Sequence, residues 1–272
     1  MGGGLLVLIF GLFGLTVGSF LNVLIVRHGA RSLAGRSACM SCGRTIEWHD
    51  LVPVVSWLAL RGRCRYCRSR ISIQYPLVEV ATGILFAFVG ASPAPLIARV
   101  LGLFIAALLV AITVYDLRHT IIPDGWVYAF ALLALASSLL SLGANGREVL
   151  IVLLSGPLLA APLAALWFFS RGTWMGLGDA KLALGIGWLL GWYWGTIAIF
   201  LAFMLGALIA VGVLLPPPYI LRTLHSIGIT SLGLARRGYT MKSEVPFGPF
   251  LIASCLFVWF MTLYVIPIPL PW

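Results

Sequence analysis

Residues 4–26, GLLVLIFGLFGLTVGSFLNVLIV, contain no charged side chain. As a helix rising 1.5 Å per residue the stretch reaches about 34 Å, enough for the ~30 Å hydrocarbon core of a bilayer. No basic region precedes it, so it reads as a span rather than a cleavable signal. Comparable runs recur, and the sequence predicts about eight spans, near 4–26, 76–91, 95–116, 124–143, 147–169, 179–192, 194–215 and 246–268. The second and sixth are short and call for tilt, thinning or shielding by protein. Charged residues make up 10% of the chain, against about 25% in soluble domains. The expected fold is therefore an all-α polytopic membrane protein.

A polar insertion at 27–75 interrupts this pattern, giving three parts: a first helix (1–26), a small soluble module (27–75) and a membrane domain (76–272). The module holds nine arginines, and eight spans would put the loops at 117–123, 170–178 and 216–245 on its side. That side then carries 16 of the 18 Lys and Arg, leaving Arg99 and Arg147 opposite. Cationic loops stay cytoplasmic, so the module is expected inside and both termini outside the cytoplasm. The net charge of +10 thus reflects topology and contact with anionic lipid rather than nucleic acid.

Cys39-Met-Ser-Cys42 and Cys64-Arg-Tyr-Cys67 form two C-x-x-C pairs in the module. Each turn can offer two thiolates, and four close a tetrahedral structural zinc site. A reducing cytoplasm disfavours disulfides there. The competing reading is a set of free or redox-active thiols. His49 is not needed as a ligand once four sulfurs complete the shell.

Only eight carboxylates occur in the chain. Asp124 follows Ile-Ile-Pro at the start of the fourth span and reads as a helix cap. Asp179 opens the sixth span in Gly176-Leu-Gly178-Asp179-Ala-Lys181, where a helix N-terminus, with Lys181 nearby, favours an anion. Asp116 lies at the C-terminal end of its span, where the macrodipole disfavours one. Two carboxylates in contrasting settings can divide water activation from protonation of a leaving amine. Asn22, inside the first span, is best read as bonding between helices.

At this point the chain resembles type IV prepilin peptidases, the GxGD-type membrane aspartic proteases. Their signature G-M-G-x-G-D-x-K-L is matched by 174–182, WMGLGDAKL, except that Trp174 replaces the first glycine. The segment 116–124, DLRHTIIPD, resembles the family's D-x-x-x-x-x-I-P-D/N, so the resemblance assigns the catalytic pair to Asp116 and Asp179. The stretch 18–27, GSFLNVLIVR, the paired C-x-x-C module and 246–249, PFGP, agree in order.

The resemblance implies cleavage of prepilins and pseudopilins after the glycine ending a basic leader, at the cytoplasmic face of a bacterial inner membrane. It also implies N-methylation of the new N-terminus with S-adenosylmethionine. Gly176, Gly178, Lys181, Pro246, Gly248 and Pro249 become expected active-site support. Gly62-Arg63, before the third cysteine, stands where the family has a Gly-Lys linked to methylation. Glu79, Asp124 and Glu47 are candidates to attract a basic leader, against capping or solvated roles. Two rivals remain open, an ion-coupled transporter and a zinc-bearing membrane scaffold.

Overall fold

A computed structural model describes residues 2–29, 32, 35–142, 146–210 and 246–264. Among these the regular structure is helical, apart from two isolated antiparallel bridges in the otherwise turn-rich soluble module, Ala38 with Thr45 and Arg63 with Arg70. The helices are α1 (Gly2–Arg27), the short α2 (Val55–Ala59), α3 (Gln74–Ala91), α4 (Leu96–His119), α5 (Asp124–Ser141), α6 (Gly146–Ser170), α7 (Leu177–Ile209) and α8 (Gly248–Tyr264). The expected loop at 216–245, with Arg222, Arg236, Arg237 and Lys242, lies outside the described residues.

Among the described residues the eight expected spans do not appear as eight separate helices: six helices are long and apolar enough to cross a membrane, and α8 is a shorter seventh. The expected sixth and seventh spans are limbs of one element, α7, interrupted at Gly191 (φ 75°, ψ 174°). That backbone region is open essentially to glycine alone. A Cβ placed on Gly195 would come within 3.6 Å of the Gly187 Cα. Eight residues of straight helix would separate these positions by about 12 Å, so the chain doubles back at Gly191. The far end of the second limb meets the start of α8, where Gly206 faces Phe247 and Phe250. Both ends of α7 therefore lie at one face.

A helix broken in an apolar layer leaves carbonyls without partners. Ser155 of α6 donates its hydroxyl to the Gly187 carbonyl at 2.8 Å, and Ser138 of α5 donates to that of Trp188. These bonds seat the first limb between α5 and α6. The core is built around α4, whose Ile105, Leu109 and Ile112 are buried with Phe130, Leu182, Ile186, Leu251 and Ile252. The large exposed side chains of α1 and α3, such as Leu5, Leu8, Ile84 and Phe88, are suited to lipid.

Asn22 acts as expected, between helices. Its amide donates to the Gly18 carbonyl at 3.2 Å and the Tyr75 carbonyl at 3.1 Å, and Gln74 donates back to it at 3.4 Å. It ties α1 to the start of α3.

Gly191→Ala should lower the unfolding free energy in mixed micelles by ~1–3 kcal/mol, the cost of forcing a Cβ into this backbone region. Unchanged stability would mean that the reversal does not depend on glycine.

Candidate active site and metal centre

One face of the bundle gathers most of the polar chemistry. Arg118, in the last turn of α4, donates through Nε to the Gln74 side chain at the start of α3 at 2.6 Å. The soluble module, joined to α3 at Gln74, is thus at the same face as the C-terminal end of α4. The starts of α5, α7 and α8 meet there as well.

Asp116 and Asp179 are both buried, at 4% and 7% exposure, and are close enough to interact electrostatically. The end of α4 explains how Asp116 is presented. Thr120 caps that helix in the left-handed conformation (φ 53°), and its N–H donates to the Asp116 carbonyl at 2.7 Å. The helix stays closed while the Asp116 carboxylate lies against the backbone of Gly248, the first residue of α8. The macrodipole of its own helix disfavours an anion at this end, and a second helix brings its N-terminus alongside.

Asp179 occupies the third helical position after its N-cap, Gly176, and its carboxylate lies near the Gly176 backbone, the place a capping-box acid takes. Each acid therefore lies beside the start of a helix.

Packing explains two of the glycines. A Cβ on Gly248 would lie 2.5 Å from Asp116 Oδ2 and 3.2 Å from Ile122 Cδ1. One on Gly178 would lie 3.0 Å from Ile122 Cβ. Gly176 differs, since its nearest neighbour, Asp179 Oδ2, would be 3.7 Å away, an ordinary contact. Ile122 is the residue that sequence reasoning missed. It stands inside the I-P-D segment, yet attention to acids passes over an isoleucine whose contacts come from distant helices. Pro246 precedes α8 and Pro249 lies in its first turn, where proline's missing N–H costs nothing.

Several expected roles change. Asp124 is the first residue of α5 rather than its cap, which is Pro123. Lys181 does not serve Asp179: its Nζ lies 2.6 Å from Asp124 Oδ1 and 5.5 Å from the Tyr128 ring centroid. Glu79 is buried and accepts the Val54 N–H at 2.7 Å, so it holds the module rather than facing solvent. Glu47 accepts the Tyr66 hydroxyl at 2.7 Å within the module. Gly62 is buried at φ 64° under Trp57, and its N–H and carbonyl are bonded to Trp57 and Ile71. Arg63 is exposed beside it.

The four cysteines come together. Their sulfurs all lie within 4.8 Å of one another, with Cys39 and Cys67 3.8 Å apart. Tetrahedral zinc with Zn–S bonds of about 2.3 Å places its sulfurs about 3.8 Å apart, so the cluster suits such a metal. The two turns match in their bonding. Cys39 N–H donates to Arg44 and Gly43 N–H to Cys39, while Cys64 N–H donates to Ser69 and Arg68 N–H to Cys64. Gly43 (φ 72°) and Arg68 (φ 58°) occupy equivalent left-handed positions. The backbone N–H groups of Cys42 and Ser41 bring the Cys39 thiol down to about 6, and hydrogen bonding with Ser69 lowers that of Cys67. Thiolates are the metal-binding form. A bidentate pair, Arg65 Nε to Asp50 Oδ2 at 2.9 Å and Nη2 to Oδ1 at 2.6 Å, braces the second turn.

A helical bundle of membrane-spanning type, with two buried carboxylates at helix ends beneath a four-sulfur module, defines a membrane-embedded candidate hydrolase. Comparison with known proteins carries this further. Residues 12–92 match the bacterial Peptidase A24 N-terminal domain, and residues 103–211 match the type IV leader peptidase family. A prepilin leader peptidase/N-methyltransferase of Aeromonas hydrophila is 31% identical over 88% of this chain and 85% of its own length. One of Burkholderia pseudomallei is 30% identical over 89% and 81%. One of Myxococcus xanthus is 44% identical over a shorter stretch, 40% of this chain and 33% of its own. No solved structure matches. The chain belongs to the type IV leader peptidase family and is a membrane peptidase.

Cys64→Ser should reduce bound zinc, read by elemental mass spectrometry of the purified protein, from one per chain to well below one. It should also expose the module to limited proteolysis, because a domain this small relies on its staple. Full zinc content in that variant would exclude Cys64 as a ligand.

Proposed function

We propose that this protein removes the leader from prepilins or pseudopilins with Asp116 and Asp179 as a catalytic pair. The observation that carries the reading is the meeting of two buried acids from separate helices, each beside the backbone at a helix start. The relatives' names supply the substrate class. A water between the carboxylates gives a proton to one of them as its oxygen attacks the scissile carbonyl. The other protonates the departing amine, and the C–N bond breaks. Acids this close titrate as a pair. The helix starts at Gly248 and Gly176 place positive dipole ends beside the two side chains through the cycle.

Orientation follows from charge. The face bearing the module and the two acids is assigned to the cytoplasm of a bacterial inner membrane, because the module's nine arginines favour that side. Both termini are then outside. The division into 1–26, 27–75 and 76–272 goes with this arrangement, and the four cysteines hold structural zinc. A prepilin whose apolar helix lies in the bilayer meets these acids at the boundary without being drawn across.

We extend the reading to N-methylation of the new N-terminus with S-adenosylmethionine, on the relatives' names. Gly62 does not fit a direct role in holding that donor, since its polar groups are spent and Trp57 covers it. No transfer step is assigned to it.

Incubating reconstituted protein with a prepilin should shorten the substrate by its leader mass, and S-adenosylmethionine should add one methyl group to the product. Asp116→Asn and Asp179→Asn should each reduce cleavage at least a thousandfold. Survival of cleavage in either variant sinks the catalytic pair, and an unmethylated product sinks the second activity alone.

The glycines separate in the same assay. Gly178→Ala should lose most activity, because its Cβ meets a branched carbon of Ile122. Gly176→Ala should keep much of it, with only the modest loss of a poorer N-cap, under ~1 kcal/mol. Equal effects would show that contact with Ile122 does not govern the site.

A further inference from the structure

Among the described residues, the soluble module carries an apolar face that neither its own core nor the membrane helices cover. In α2, Val55 and Leu58 are 61% and 60% exposed, and the turn leading to it adds Leu51 and Val52 at 42% and 40%. Val55 and Leu58, three residues apart, share one side of the helix. The opposite side faces inward, where the Trp57 indole N–H donates to the Ile71 carbonyl at 3.3 Å and its ring packs on Gly62.

The depth of this face is set by one contact. The Val54 N–H donates to the buried Glu79 carboxylate at 2.7 Å. Val54 is held at φ 61°, ψ −50°, and the next N–H, of Val55, donates to the Pro53 carbonyl at 2.6 Å. This is a strained γ-turn, costly for a β-branched residue, and the charge-assisted bond to Glu79 offsets part of that cost.

Glu79 lies within α3, past Ile73 and Leu77, which are 61% and 59% exposed and begin a stripe continued by Val80, Ile84 and Phe88. At 1.5 Å per residue, Glu79 is about 9 Å beyond Ile73 along the helix axis, and helical side chains lean back toward the N-terminus by a few Å. The Glu79 carboxylate, and with it Val54, therefore sits level with the upper part of that stripe. A segment at this level, with its valine and leucine exposed, lies at the height of the boundary between headgroups and acyl chains. Arg61 and Arg63 follow at once and are exposed, placing cations where anionic headgroups lie.

We propose that the module is seated in the bilayer surface, with Val55 and Leu58 among the outer acyl carbons and Arg61 and Arg63 on anionic phospholipid headgroups. Glu79 is the positioning residue that holds it at that depth. The occupant of the apolar face is lipid, not a second copy of the chain or a substrate helix. The arrangement is independent of the reaction catalysed.

The test uses the full chain in nanodiscs of phosphatidylethanolamine and phosphatidylglycerol, with p-benzoylphenylalanine introduced in turn at Val55, Leu58 and, as the lipid-facing reference, Ile84. Irradiation should yield phospholipid adducts at 55 and 58, seen as lipid-sized mass gains, in yields comparable with 84. Lipid adducts at 84 alone, or adducts of twice the protein mass at 55 and 58, would overturn the proposal. Equal yields at 58 in anionic and neutral discs would overturn the assignment to anionic headgroups. A measurement without substitution guards against misfolded variants. In the native chain, amide exchange over 55–60 should be several-fold slower in anionic discs than in uncharged detergent, and equal rates would count against the proposal.

Discussion

Two carboxylates buried at the edge of an apolar layer must find partners, and here each finds the start of a helix. Asp179 lies near the backbone of its own N-cap, Gly176, and Asp116 reaches across to Gly248 at the head of α8. A carboxylate in such a setting is costly without fixed donors. The terminal N–H groups of a helix are donors that have no other use. The approach of α4 and α8 follows from this requirement, since the Asp116 end of one must meet the Gly248 start of the other.

That approach depends on what is missing as much as on what is present. Gly248 and Gly178 lack the Cβ atoms that would strike Asp116 and Ile122. Ile122 fills the space between Gly178 of α7 and Gly248 of α8. At the other end of the first limb, the reversal at Gly191 keeps α7 short enough to begin and end at one face. The hydroxyls of Ser138 and Ser155 then satisfy the carbonyls that the reversal exposes. The soluble module is tied to the same face by Asn22, Gln74, Arg118 and Glu79, all of them polar groups at helix ends or close to them.

Much of this was legible beforehand. The apolar runs located α1, α3, α4, α5 and α6 to within a few residues, because a bilayer demands length and apolarity that are plain in composition. The two C-x-x-C pairs announced a four-sulfur cluster, because the spacing itself builds the turn. The tally of spans was less legible. The expected break at 193 fell within two residues of Gly191, but only the φ and ψ of that glycine show a reversal inside a single helical element rather than a loop between two. Lys181 was misread as a partner for Asp179 because two residues of separation seem close. On a helix they point to different sides, and Lys181 turns instead to Asp124 of α5. Glu79 looked available to a basic leader until its carboxylate was found beneath Val54.

The sequence by itself determined that this chain is a membrane helical bundle with a cysteine-stapled insert, and which acids lie at the ends of its apolar runs. Those properties are local, set by side-chain transfer into lipid and by spacing within a turn. Only the tertiary structure decided that Asp116 borrows the N-terminus of α8, that Ile122 separates the glycines, and that Glu79 holds the module down. Each of these joins residues far apart in the chain, and a contact between distant residues leaves no periodicity for the sequence to display.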